Sequence, residues 1–259
     1  MRLHLLSDIH LEFFPYTLQH PPSGADAAVL AGDIGIPSEP HYSAFIAGAA
    51  MLYPRVYVVL GNHELYGDSY SGGRAKVREI CAAHPNVMFL DGGVAEDIEG
   101  TDLRVTGCTL WSHVPDARKD ISARRLADFW NIKGWSVERC NERHEEDKAF
   151  LVQEIARAQK DGKRLVVVTH HAPMTEGVSD PQYQGSELSC CFSTDLKAMV
   201  AGAPVAVWMF GHTHWNIDVT LSGGEGGRTG TTRVVANQRG YPREDVGKIG
   251  FRDDFVIEV

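Results

Sequence analysis

Short apolar runs recur along the chain, and several end in a polar cluster. Residues 3–6 run into SDIH, 27–31 into GDIG, 56–60 into GNHE, 165–168 into THHAP and 205–210 into GHTH. Each run has strand length and is rich in β-branched or large apolar residues, so each predicts a buried β-strand. Helical stretches lie between some of them, at 41–52, 73–83 and 142–161. The last has the strongest pattern. Ala149, Val152, Ile155 and Ala156 predict its buried stripe, with Leu151 and Ala158 beside it. Glu154, Arg157 and Lys160 face away, and Gly162 follows as a stop. Strands alternating with helices predict an α/β fold with a largely parallel sheet.

Further short strands are predicted at 87–90, 94–98 and 103–107, and a terminal antiparallel set at 217–221, 231–236 and 255–259. The glycine-rich stretch 222–232 lacks the GxxxxGK[ST] pattern of a phosphate-cradling loop and reads as a hairpin tip. No repeat or linker divides the chain, so residues 1–259 are expected to form a single domain.

The polar clusters pose a question, because a strand that ends in Asn62, His63 and Glu64 delivers groups that an apolar interior rejects. Burying one such group without a partner costs on the order of a few kcal/mol. Composition narrows the answer. The chain is 43% hydrophobic and 23% charged, ordinary for a globular protein with a sizeable core. Its net charge of -9 disfavours long nucleic acid, whose binding rests on many Lys/Arg–phosphate contacts. A small phosphorylated substrate stays open, since a bound metal inverts the local field. No apolar stretch is long enough to span a membrane, and MRLHLLSDIH does not read as a signal peptide. Five cysteines at irregular spacing, without CxxC, point to a reduced, cytoplasmic protein.

In α/β sheets, ligand sites form where strand C-termini meet. Asp8 and His10, Asp33, Asn62 and His63, His170 and His171, and His212 and His214 are therefore expected at one edge. These oxygen and nitrogen donors suit Mn, Fe, Zn or Ni, and they outnumber the needs of one tetrahedral ion. A lone histidine is more often a satisfied core or surface residue than a ligand. Five strands ending in ligand-type residues by accident is a far poorer explanation.

DIH (8–10), GD (32–33), GNHE (61–64), HHAP (170–173) and GHTH (211–214) resemble, in this order, the motifs of the calcineurin-like metallophosphoesterases. NQRGY (237–241) is similar to their bacterial phosphohydrolase branch. The resemblance implies a four-layer αββα sandwich, two mixed β-sheets flanked by helices, with the active site at the strand C-terminal ends. It implies two divalent ions per chain. Asp8, His10 and His214 would bind one; Asn62, His212 and a histidine of HHAP the other; Asp33 would bridge both. The family's ligand usually stands two residues before a proline, which selects His171; His170 is the alternative, and could instead orient or line the site. His63 matches the family's proton donor, and Asn62 also stands where it could contact the phosphoryl group. Many members carry an acid three residues after the GD aspartate to orient that donor. Ile36 stands there in this chain, so His63 must find another partner.

The implied reaction is hydrolysis of a phosphoric mono- or diester by a hydroxide activated at a dinuclear centre. Nuclease, phosphoprotein phosphatase and a non-catalytic metal-stabilised scaffold are the alternatives. Residues 111–145, with Trp111, Trp130, Trp135, Arg118, Arg124 and Arg125, are either a specificity cap that stacks and pairs with substrate or a satellite cluster under a long loop.

Overall fold

The computed structural model describes residues 1–18, 20–22, 24–223, 229–244 and 246–259. The chain opens β1 (Arg2–Leu6), β2 (Ala27–Leu30), α1 (Pro40–Leu52), β3 (Arg55–Val58), α2 (Tyr70–Ala82) and β4 (Val87–Phe89). It continues through β5 (Ala95–Asp97), β6 (Leu103–Cys108), α3 (Lys119–Arg125), α4 (Asp128–Asn131), α5 (Val137–Asp161) and β7 (Arg164–Thr169). It closes with α6 (Lys197–Val200), β8 (Val205–Phe210), β9 (Asp218–Ser222), β10 (Thr231–Ala236), α7 (Val246–Ile249) and β11 (Val256–Glu258).

Two sheets result. One has the order β11-β1-β2-β3-β4 and the other β5-β6-β7-β8-β10-β9. Their interior strands pair in parallel, and β11, β5 and β9 are antiparallel edges. Of the predicted terminal set only β9 and β10 pair as a hairpin; β11 instead joins β1 in the other sheet. The tip of that hairpin, 224–228, lies outside the described residues.

The period of two along each strand builds the layers. Leu3, Leu5, Ala27, Val29 and Tyr57 of one sheet meet Val105, Val166, Val168, Val207 and Met209 of the other in a shared core. Their alternates Leu6, Ala28, Leu30, Val56 and Val58 face outward, onto Tyr42, Phe45 and Ile46 of α1 and Val77 of α2. On the far side Leu165, Val167 and Trp208 receive Leu151, Ile155 and Ala158 of α5. Helix, sheet, sheet, helix is the four-layer sandwich.

Helix α5 begins earlier than its apolar pattern suggested, because Ser136 caps it by accepting from Arg139 N at 3.3 Å. Its buried stripe is also rotated from the expected one. Leu151, Ile155 and Ala158 face the sheet and Glu154 is buried, while Ala149, Val152 and Ala156 are exposed. Arg157 pairs with Glu154 Oε1 at 2.8 Å and offsets part of the cost of this burial, while Oε2 is buried without a hydrogen-bond partner. Choosing the stripe by alanine misled, since alanine is at home on either face of a helix.

All five cysteines are free thiols. Among the described residues no helix is long and apolar enough to cross a membrane.

Candidate active site

Strands β1, β2, β3, β7 and β8 all release their chains at one end, so the five polar clusters converge between the two sheets. The turns are tight. Among the described residues, seven non-glycine residues have positive φ, and five of them are Asp8, His10, Asp33, His212 and His214. Such conformations cost energy and persist where the surroundings hold them, commonly at functional sites. A Cβ on Gly61 would stand 2.2 Å from Asp33 Oδ1, so glycine is required where the GNHE loop meets the GD loop. Glu64 ties the same two loops together. Its carboxylate accepts from Asp33 N (3.0 Å), Ile34 N (2.8 Å) and Gly61 N (2.8 Å). Burial, then Asp33, pushes the Glu64 carboxyl up to about 8.

Among the described residues, three sets of ligand atoms each lie within 4.8 Å of one another: Asp8, His10 and His214; His10, Asp33 and His63; Asp33, His170 and His212. Asp33 Oδ2 stands centrally, 3.4 Å from His170 Nε2 and 3.9 Å from both His10 Nε2 and His63 Nε2. Its other oxygen accepts from His63 N at 2.8 Å. Burial would raise the Asp33 carboxyl, but His170 and His63 hold it well below the usual range.

At one end His214 Nε2 lies 3.2 Å from Asp8 Oδ1 and 3.1 Å from His10 Nε2. His214 Nδ1–H donates to Glu244 at 2.6 Å, and His10 Nδ1–H donates to Glu12 Oε1 at 2.9 Å. Both rings therefore turn Nε2 to the site. Burial would lower the His214 ring, yet Asp8 and Glu244 push it up to about 10. At the other end His170 Nδ1–H donates to Ala31 O at 2.9 Å, leaving Nε2 at 3.0 Å from Asn62 Oδ1. The Asn62 amide is aimed by Asp128 Oδ1 and the Tyr66 hydroxyl, 2.9 and 3.2 Å from its Nδ2.

The proline spacing favoured His171, but the structure brings its neighbour into the cluster. His171 Nδ1 lies 2.8 Å from Ser112 Oγ, and its ring stacks on His212 at 3.9 Å. It belongs to none of the three sets. Both histidines lie in the bend just past β7, and that bend brings the His170 Nε2 to Asp33 and Asn62.

These donors fit a divalent ion. His212 Nε2 is buried with no hydrogen-bond partner, and burial, then His170, holds that ring down at about 3, so it is a neutral donor. His170 is pushed up to about 9 against its burial by Asp33, so a proton holds the lone pair for which a metal would compete.

His63 has the partner that Ile36 does not supply. Its Nδ1–H donates to Glu12 Oε1 at 2.7 Å, the same oxygen that receives His10. Burial would raise Glu12, but these two hydrogen bonds hold it down at about 2. Burial would lower His63, and Asp33 and Glu12 outweigh it to raise it. Glu12 was within reach of the sequence, two residues past His10 in DIHLE. Gln238, whose Oε1 accepts from His214 N at 2.5 Å, lies in the NQRGY motif, whereas Asp128, Tyr66 and Glu244 carry no such signal.

Residues 111–145 are partly core. Trp111 and Trp135 are buried, their rings 4.6 Å apart, and Trp130 is 71% exposed. Arg118 pairs with Glu187 and Arg124 bonds Asp120 O, while Arg125 lines a cleft beside the site.

The calcineurin-like phosphoesterase family model matches residues 1–216. The chain is a calcineurin-like phosphoesterase. This phosphoesterase is 24% identical to an uncharacterized protein of Acanthamoeba polyphaga mimivirus, over 93% of its own length and 92% of the relative's. It shares its fold with a dimetal phosphatase from Danio rerio at a TM-score of 0.53 and 13% identity, covering 91% of this chain and 86% of that one. The family match ends before NQRGY, Glu244 and the strand that completes the first sheet.

Proposed function

We propose that this phosphoesterase holds two divalent ions and hydrolyses small phosphoric esters in the cleft beside them. Asp8, His10 and His214 hold one ion. Asn62, His170 and His212 hold the other, and Asp33 serves both. The observation that carries the reading is Asp33, a single buried carboxylate whose Oδ2 stands 3.4 Å from His170 Nε2 of one group and 3.9 Å from His10 Nε2 of the other. When bound, such ions offset phosphoryl charge and activate water at neutral pH.

The chain's own residues supply the rest. Asn62 presents its oxygen because Asp128 and Tyr66 hold its nitrogen. His63, fixed by Glu12 through Nδ1, has Nε2 as the nitrogen that can give up a proton. His170 serves rather than His171 because its Nε2 is the one aimed at Asp33 and Asn62.

The cleft supports a substrate with an organic arm. It is about 1110 Å³ and lined by Tyr66, Leu126, Leu188 and Phe192, among others, with Arg125 its one Lys or Arg among the described residues. Pockets for drug-sized ligands run to roughly 300–1,000 Å³. One cation does not serve a polyanion, so a compact phosphodiester or monoester fits better than nucleic acid.

The test is metal content and hydrolysis together. Purified protein should carry close to two ions per chain, lose activity to chelator and regain it with Mn²⁺. Bis(p-nitrophenyl) phosphate and p-nitrophenyl phosphate compare diester with monoester. Undiminished hydrolysis after verified metal removal overturns the proposal.

A further inference from the structure

The NQRGY segment lies beyond the family match, and the reading above gives it no task. The structure folds it over the site. Asn237 Nδ2 donates to Leu5 O at 2.7 Å and to Arg252 O at 2.8 Å, anchoring the segment to β1. Gln238 grips the GHTH loop, accepting from His214 N and donating from Nε2 to Trp215 O at 3.1 Å. The Arg239 guanidinium lies over the Phe14 ring at 3.6 Å. Gly240 N donates to Asp8 O at 3.1 Å, and Tyr241 N to Glu244 Oε2 at 2.7 Å. Tyr241 is thus held from both sides. Its ring packs 4.5 Å from those of His10 and His214 and 5.4 Å from Phe13.

Its hydroxyl ends 3.0 Å from His63 Nε2. That nitrogen is the only one His63 can offer a substrate, since Nδ1 is committed to Glu12. Tyr241 lines the cleft and His63 does not. His63 is 4% exposed, its ring 4.2 Å from Tyr66 and 4.5 Å from His10. A leaving group in the cleft therefore meets the phenol before it meets the imidazole.

We infer that Tyr241 is a catalytic residue that carries the His63 proton to the leaving group. This rests on the phosphoesterase reading above. As the phosphorus–oxygen bond breaks, the departing oxygen takes the Tyr241 hydroxyl proton, and the Tyr241 oxygen takes the proton on His63 Nε2. The leaving group departs as a neutral alcohol. Tyr241 ends as it began, and His63 ends as the neutral ring with Nδ1–H still on Glu12. A phenol placed between the two lets a buried histidine serve an open cleft.

The experiment uses Tyr241→Phe, which keeps the packed ring and removes only the hydroxyl. In metal-loaded enzyme, kcat/KM should fall on the order of 10²-fold for alkyl esters, near the lower end for losing a general acid. It should stay within about threefold for p-nitrophenyl esters, whose leaving group needs little protonation. The double variant with His63→Ala should be no slower on alkyl esters than His63→Ala alone, because both act in one transfer. In metal-free protein, long-range proton–nitrogen NMR should show the His63 Nε2 signal move on Tyr241→Phe. A loss equal for good and poor leaving groups, an unchanged rate, or additive single losses each overturn the relay. If the parent hydrolyses no ester with any metal, the phosphoesterase reading fails instead. The Nε2 signal still decides the contact, and an unmoved signal overturns it.

Discussion

Replacing Glu12 by Gln strikes two histidines through one atom. Glu12 Oε1 receives His10 Nδ1–H at 2.9 Å and His63 Nδ1–H at 2.7 Å, and the side chain is 6% exposed. A glutamine keeps the shape but loses the charge. Its oxygen can still accept, but no longer as an anion, and its NH₂ is a donor in a site built for acceptors. A hydrogen bond to a charged group is worth about 1.5–3 kcal/mol. If one such bond is lost from the His10 side, ion affinity at the Asp8–His10–His214 end should fall roughly 10–150-fold. That agrees with the roughly 10–100-fold cost of losing an outer partner of a ligating histidine. The assay is calorimetric titration of chelator-treated protein with Mn²⁺, alongside kcat/KM for alkyl and aryl esters. One of two binding steps should weaken, and the alkyl esters should suffer more than the aryl ones because His63 is also released. Two unchanged binding steps with an unchanged leaving-group profile would refute the role given to Glu12.

His170→Ala should remove one ion per chain by elemental analysis, whereas His171→Ala should leave both; the reverse pattern returns the ligand to His171. Asp33→Asn should lower occupancy of both ions together, and loss of only one would end its shared role. Gly32→Ala forces a side chain onto φ +90 with its Cβ 2.4 Å from His170 Nδ1, so urea unfolding should show a loss of at least about 1–3 kcal/mol. A variant as stable as the parent would show that the loop yields.

The strands that deliver the site were legible because apolar runs of strand length stop abruptly at charged and amide groups. Those groups needed a reason to be buried, and a shared set of ligands supplied it. Local sequence also carried the helices, since burying one face leaves a period in the chain. It placed α5 but rotated its face, because Ala149 and Ala156 are indifferent to burial while Glu154 is buried with an ion-pair partner.

Whatever depends on residues far apart in the chain was decided by tertiary structure. Tyr241 reaches His63 across 178 positions, and Asp128 reaches Asn62 across 66. The sequence showed that Ile36 could not orient His63, and only the fold brought Glu12 to its Nδ1. The choice between His170 and His171 was made by the bend after β7, which carries the His170 Nε2 to Asp33 and Asn62. Sequence determines which chemistry a segment can offer, because residue type fixes the donor atoms. The packing of the two sheets decides which of those atoms meet, because directed hydrogen bonds and ligands act only over a few ångströms.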